Sequence, residues 1–558
     1  MSTLYPVLIV LTVVILSWPL GRYMAWAMDP LTVTGRARLV IESFFSKLLG
    51  KRLMMEQDWK RYTTCLLIFN SVMFTIAFAI LALQHKLPFN PDGRGPIEPS
   101  LVFHTAASFT TNTDQQHYAG EATLSYFSQI FSLMWLQFLS AATGIAALTA
   151  LARGLSGKTR IGNFFRDLLR AGVLLLLPLA FCVAILLNLG GVPMTLKGSV
   201  TATTTEGASQ VICRGPVAAF VAIKQLGSNG GGFFGANSAH PFENPNFFTN
   251  FIECMAILLI PMACVWLFGR ITGRMRQAGI IFLVMMTLFV TKAGLILHFE
   301  KSPPPALAGL PVTSTGNWEG KELRFGYSPT PLWGVATTAT SNGSVNGMLD
   351  SFNPLSGLIP MIGMWLNVTF GGAGVGLINM FLYIIVGIFI CGMMVGRTPE
   401  YMNRKVETRE MKLALLALLT HPLLILGGSA LFASLPWGAD SAHNPGVHGF
   451  SEILYEFSSA AANNGSGFEG LTDNTLPWNL ATGVVMLLAR YIPIILPLAI
   501  TGSLAGKKAT PETSGTFRTD TLLFGLVVLG TVLLVGALLF LPVAILGPIA
   551  EHLAKPAF

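Results

Sequence analysis

Ten separate stretches of this chain are each apolar for about 20 residues, the length that crosses the hydrocarbon core of a bilayer. They lie near 4–24, 62–83, 124–150, 171–190, 248–269, 279–298, 374–395, 411–433, 479–503 and 521–549. Pro and Gly fall inside several of them, which membrane helices tolerate better than soluble ones do. The reading is an all-α polytopic membrane protein with ten transmembrane helices. Composition agrees: 11% of the 558 residues are charged, against about 25% in soluble domains.

Lysine and arginine set the orientation. The loops at 28–61, 152–170, 270–276, 397–412 and 507–518 carry 23 of the 35 basic residues. The alternate loops at 84–121, 191–247, 299–373 and 434–478, with the tail, carry 9. The positive-inside rule makes the first set cytoplasmic and sends both termini outward. The surplus charge of +8 thus sits at helix ends and does not form a nucleic-acid surface. "AWA" at 25–27 has the look of a signal-peptidase site, but Arg22 follows the apolar run and no positive charge precedes it, the reverse of a signal peptide. The six cysteines show no CxxC pairing or metal spacing.

The outward loops share one design. Each holds an apolar stretch too short to span: 100–111, 216–228, 331–341 and 449–463. Such segments are candidate re-entrant helices. Each runs into a related tripeptide: Thr111-Asn112-Thr113, Ser228-Asn229-Gly230, Ser341-Asn342-Gly343 and Asn463-Asn464-Gly465. The four asparagines Asn112, Asn229, Asn342 and Asn464 are 117, 113 and 122 residues apart. One Asn-Gly pair marks a turn; four matched ones mark a repeat. A helix dipping into the membrane points its negative dipole end inward. A returning segment aims its carbonyls inward only with unusual φ/ψ, which Gly permits and Asn tolerates. Four such segments make a ring of oxygens that replaces the water shell of a cation. Gly231 and Gly232 extend the second segment, with Phe233 and Phe234 expected to pack it, and Gln116 stands beside the first. The expected units are an extra span with its loop (1–61), repeats at 62–151, 152–276, 277–396 and 397–505, and a final extra span (506–558). They surround one pseudo-fourfold pore.

At this point the residues carry a resemblance. "TNT" (111–113), "EATLSYFSQ" (121–129), "NGGGFFGANSAHPFENP" (229–245), "GRTPEYMNRKVETREMK" (396–412), "NPGVHGFSEILY" (444–455) and "NNGSGF" (463–468) resemble the potassium-binding A subunits, the KdpA family, of bacterial Kdp potassium pumps. The resemblance implies a potassium-selective filter in the bacterial inner membrane. It also implies a complex with three further proteins of the pump: a P-type ATPase (its B subunit), a C subunit and a small single-span F subunit. ATP hydrolysis falls to the P-type partner. The ring alone admits a stand-alone potassium channel or symporter of the same superfamily equally well. An embedded transferase would need clustered carboxylates or histidines at one membrane face, and none is evident. Asn367 stands where the family carries Glu, so that role is not transferred. Asn342 replaces a Cys of some relatives, and Lys292 has no family counterpart.

No ATP site is expected here. "GKT" at 157–159 would need Gly at 152, which is Ala152, and no "DKTG" occurs. Arg490 lies within a span, where a charge must face a cavity or a partner. It is either half of a buried ion pair or, as the resemblance implies, a positive gate beneath the filter. The same choice applies to Lys292. "FGGAGVG" (370–376), with Gly371, Gly372 and Gly374, is either close helix packing or a broken, movable helix. His104, His240, Glu243 and Glu253 lack metal-ligand spacing, and His240-Pro241 is expected to brace the second filter.

Overall fold

The computed structural model describes residues 4–29, 55–304, 316–511 and 517–554, with residues 43, 44, 47, 50 and 307 besides. Arg36, Arg38, Lys51 and Arg52 of the first basic loop, and Lys555 of the tail, lie outside the described residues. Ten helices are long and apolar enough to cross a membrane. They are α1 (Leu4–Met28), α2 (Trp59–Ala82), α4 (Tyr126–Leu155), α5 (Phe164–Leu189), α7 (Phe247–Thr272), α8 (Met275–Phe299), α11 (Val375–Met394), α12 (Thr408–Ser434), α14 (Leu476–Ala505) and α15 (Leu522–Leu553). Local chemistry sets several of their ends. Asp58 Oδ1 accepts from Arg61 N at 2.9 Å and opens α2. Asn246 and Thr249 form a capping box at the start of α7, and Gly273, at φ +71°, closes it.

The four short helices form where the apolar stretches are too brief to span. They are α3 (Pro99–Thr110), α6 (Val217–Leu226), α9 (Pro329–Ala339) and α13 (Val447–Ala462). Each stands between an outer span (α2, α5, α8, α12) and an inner one, and each is buried along nearly its whole length. A helix without a lipid-facing stripe belongs to the interior of a bundle.

In the third repeat the structure corrects the sequence reading. The outward loop at 299–373 contains α10 (Pro354–Leu366), and the inner span is this helix, a break at 367–374 and then α11. The 13 residues of α10 include Pro360, so they fall short of the length that identifies a span. All three basic residues of that loop, Lys301, Lys321 and Arg324, precede α10, so the charge asymmetry is unchanged.

The two extra spans attach to different repeats. Helix α1 packs on α7, with Gly21 against Ala263 and Trp266 and with Trp266 Nε1 donating to Ser17 Oγ at 3.0 Å. Helix α15 packs on the third repeat, where Trp365 and Phe540 stack at 5.1 Å. Its outer face, with Leu526, Leu533, Leu534 and Leu538, is exposed, as a lipid-facing surface must be.

Candidate ion-binding site

All four short helices end in the same way. The amides of Thr113, Asn229, Asn342 and Asn464 reach back five residues, to the carbonyls of Ser108 (3.0 Å), Lys224 (3.0 Å), Thr337 (2.8 Å) and Ser459 (2.9 Å). The residue before each is left-handed: Asn112 at φ +62°, Ser228 at +53°, Ser341 at +48° and Asn463 at +51°. The residue after each is left-handed again: Asp114 at +53°, Gly230 at +86°, Gly343 at +92° and Gly465 at +101°. Carbonyls of an ordinary strand alternate sides. Alternating the sign of φ removes that alternation and lets successive oxygens face one way.

This geometry shifts the first repeat by one residue. Thr113, not Asn112, is the counterpart of Asn229, Asn342 and Asn464, and Asp114 stands where the others have glycine. Thr111 remains at the helix end, its Oγ1 bonded to Ala107 O at 2.8 Å.

The segments close a ring. A Cβ on Gly230 would fall on Asn342 O, one on Gly343 on Asn464 O, and one on Gly465 on Thr113 O. Asn112 Nδ2 donates to Ser228 O at 2.6 Å and completes the circuit between the first and second repeats. The asparagine side chains serve as ties between neighbours. Asn342 Nδ2 reaches Lys224 O at 3.1 Å, Asn464 Nδ2 reaches Thr337 O at 2.9 Å, and Asn229 Nδ2 reaches Asn112 Oδ1 at 3.0 Å. The backbone oxygens of Thr113, Asn229, Asn342 and Asn464 accept no protein hydrogen bond among the described residues, although all four residues are fully buried. Buried carbonyls are nearly always paired, so four unpaired ones in a ring are acceptors suited to a cation.

Gly231 takes no positive φ, but a Cβ there would meet Phe109 and Asp114 at 2.8 Å. Gln116 and Gly232 form a reciprocal pair, Gly232 N to Oε1 at 2.7 Å and Nε2 to Gly232 O at 3.0 Å. Phe233 and Phe234 are buried, and His240 stacks on Phe234 at 3.8 Å. Behind the second segment, Lys224 Nζ donates to Asn237 Oδ1 (2.6 Å), Ser238 Oγ (2.8 Å) and Glu243 Oε2, all within the protein interior. Glu243 Oε1 in turn accepts from Phe234 N at 2.9 Å. Sequence reading missed this pair because Lys224 reads as one more loop charge. Its place inside an otherwise apolar short helix was the available signal.

His117 was also missed. It joins the first and fourth repeats, with Nδ1 2.7 Å from Asn479 Oδ1 and Nε2 3.1 Å from Glu456 Oε1. Burial of the ring opposes its charged form, but Asp473 and Glu456 outweigh burial and push its pKa up from 6.5 to about 9. A raised folded-state pKa means stability present below pH 6.5 and lost as pH rises through about 9. The melting-temperature difference between the wild type and His117→Gln is therefore expected to shrink across that window. A difference constant with pH would show that the ring's charge contributes nothing.

Beneath the ring, a cavity is lined by Asn112, Ser341, Asn463, Asn367, His421 and Arg490. Arg490 Nη2 donates to Ser140 O at 3.2 Å, and no carboxylate lies within 4.0 Å of its guanidinium among the described residues. The break at 367–374 passes under the third and fourth segments. Asn367, left-handed at φ +46°, accepts from Ser341 Oγ at 2.8 Å and donates to Ala462 O at 3.3 Å. Gly371, at φ +54°, donates its amide to Ala339 O at 2.8 Å, and a Cβ on Gly372 would stand 3.6 Å from Thr340 O and 3.8 Å from Ser341 Cβ. Gly374, at φ +90°, abuts Gly144 O of α4. Lys292 Nζ donates to Thr369 Oγ1 at 3.1 Å, within the same break.

Four short helices converging on a carbonyl ring, each held between two spans, define a channel-like membrane transport protein. The potassium transporter TrkH from Vibrio parahaemolyticus has the same fold, with a TM-score of 0.51 at 14% identity over 88% of this chain and 98% of that one. Residues 7–553 match KdpA, the potassium-transporting ATPase A subunit, and the chain belongs to that family. Two relatives are each described as a potassium-transporting ATPase potassium-binding subunit. The one from Geobacillus kaustophilus is 48% identical over 98% of both chains, and the one from Caldanaerobacter subterraneus subsp. tengcongensis is 46% identical over 97% of both.

Proposed function

We propose that this chain binds potassium at the carbonyl ring and passes it through the membrane as the channel-like subunit of an ATP-driven uptake pump. The observation that carries the reading is the ring itself: four buried carbonyls, on Thr113, Asn229, Asn342 and Asn464, with no protein donor among the described residues. Left-handed Asn112, Ser228, Ser341 and Asn463, together with Gly230, Gly343 and Gly465, shape the backbone on either side of it, with Ser228 O and Gly230 O held by Asn112 Nδ2 and Asn237 Nδ2. Family membership favours a pump over a stand-alone channel. The repeats are those at 62–151, 152–276, 277–396 and 397–505. The chain sits in a bacterial inner membrane with both termini outside, as its loop charges favour. The B, C and F subunits of a Kdp pump complete the complex. Its P-type B member hydrolyses ATP, since this sequence has no P-loop or phosphorylation motif.

Arg490 is the gate in this reading. Its charge, with no carboxylate within 4.0 Å among the described residues, stands in the cavity an ion must enter after the ring. The break at 367–374, with Gly371, Gly372 and Gly374, gives way beside it. The test is Arg490→Gln in the complex purified by a tag on this chain. The expected result is a co-purifying ATPase whose hydrolysis no longer tracks transport, with a potassium leak about tenfold above wild type, the equivalent of about 1.4 kcal/mol off the barrier. Ion preference should stay close to wild type, because the ring is untouched. A destabilised protein with normal coupling would reject the gate, and absence of any ATPase partner would favour the stand-alone channel.

A further inference from the structure

A second polar cluster lies away from the ring, where the third repeat's returning loop meets the start of α13. One ligand atom from each of Asp350, His448 and Glu452 lies within 4.8 Å of the others. His448 and Glu452 occupy one face of α13, four residues apart. His448 Nε2 stands 2.9 Å from Asp350 Oδ1, and His448 Nδ1 stands 2.8 Å from Glu551 Oε1 at the end of α15. Once Nδ1 donates to Glu551, Nε2 and Oδ1 face each other as two lone-pair atoms unless a proton or a cation lies between them. Glu452 is fully buried. Its Oε1 accepts from Asn444 Nδ2 at 2.6 Å, and its Oε2 has no partner.

The surroundings keep the cluster open and anionic. Gly470 faces it without a side chain; a Cβ there would press on Glu452 Oε1 and come within 2.9 Å of Asp350 Oδ2 and 3.0 Å of Asn444 Nδ2. The whole loop at 434–478 contains no lysine or arginine. The other histidine–carboxylate cluster differs: His117 Nδ1 meets an amide oxygen, of Asn479, where His448 meets a second carboxylate, and Glu456 Oε1, its carboxylate partner, also accepts from Gln115 Nε2 at 2.5 Å.

We propose that Asp350, His448 and Glu452 form a binding site for a divalent transition cation of the zinc class, which fastens the third repeat's outer loop to the fourth repeat's short helix. One imidazole and two carboxylates suit such a metal better than magnesium or calcium, which take oxygen ligands. The contact from Nδ1 to Glu551 is the carboxylate–histidine arrangement that orients a metal-binding ring. The metal replaces the proton between Nε2 and Oδ1, and that proton leaves to solvent. Glu452 Oε2 supplies the third bond.

The test is titration of the full chain, purified from membranes with its bound subunits, with Zn²⁺ against a chromophoric chelator. Glu551→Gln is expected to weaken zinc binding by about 10- to 100-fold, as loss of an orienting carboxylate does. Glu452→Gln should weaken it at least as much while leaving the metal-free melting temperature near wild type, since Oε2 makes no protein bond. X-ray absorption on the zinc-loaded wild type provides a readout independent of any variant's folding. Nitrogen and oxygen ligands at about 2.0–2.2 Å support the site, and sulfur at about 2.3 Å overturns it. Equal affinity in wild type and Glu452→Gln, or wild-type binding no tighter than millimolar, also overturns it and leaves an ion-pair clamp only.

Discussion

Replacing Gly343 with alanine should weaken potassium uptake from dilute medium by well over an order of magnitude and blur the distinction between potassium and rubidium. Two effects act together. Gly343 sits at φ +92°, and forcing an L side chain into left-handed backbone costs about 1–2 kcal/mol of folding stability. The new Cβ would also fall on Asn464 O and lie 3.0 Å from Gly465 Cα. Neither atom can retreat without moving the ring, so an oxygen that should face the ion is displaced. Gly396→Ala separates the two effects. Gly396 has φ +70° but nothing within 4 Å of the added carbon, so it carries the strain without the collision. Uptake kinetics at low external potassium should be severely altered in the first variant and close to normal in the second. Wild-type affinity and selectivity in Gly343→Ala would remove the ring from the transport path.

Lys224→Met should give the largest loss of stability of any single change near the ring. It removes the ammonium from a fully buried site where Glu243, Asn237 and Ser238 all point at it. Breaking a buried pair from one side costs on the order of 3–5 kcal/mol, because the orphaned charge stays buried. Removing both charges, as in Lys224→Met with Glu243→Gln, should restore most of that, since a neutral pair leaves no bare charge. Denaturation of the two single variants and the double variant measures the coupling. A double variant destabilised by the sum of the two single losses would mean that Lys224 and Glu243 act independently.

Much of this architecture is legible in the sequence. Apolar length alone located the ten spans, and the four short stretches became α3, α6, α9 and α13 within a few residues. The register of the first segment was not legible, for a physical reason. Asparagine suits both positions at issue: it is left-handed at Asn112 and Asn463, and it is the tie between repeats at Asn229, Asn342 and Asn464. Matching asparagine to asparagine therefore aligned unlike sites, and only the amides reaching back five residues separate them. Helix α10 escaped because 13 residues with an internal proline do not look like a crossing. The His117 and Lys224 networks are assembled from segments that no local pattern brings together.

Arg490 lies 26 residues beyond Asn464, and the same offset from Thr113, Asn229 and Asn342 lands on Leu139, Met255 and Val368. A homotetramer cannot make that arrangement. Any residue it places near the axis appears four times, and four guanidinium groups crowded around one channel would repel each other as strongly as they repel a passing ion. Linking four copies into one polypeptide frees each quarter to mutate alone. Here one quarter contributes the charge, another the interrupted helix, and the remaining two stay apolar at that offset. In the gate reading proposed for Arg490, such a chain can set the height of its barrier in steps of a single charge, low enough for one conformational change to remove.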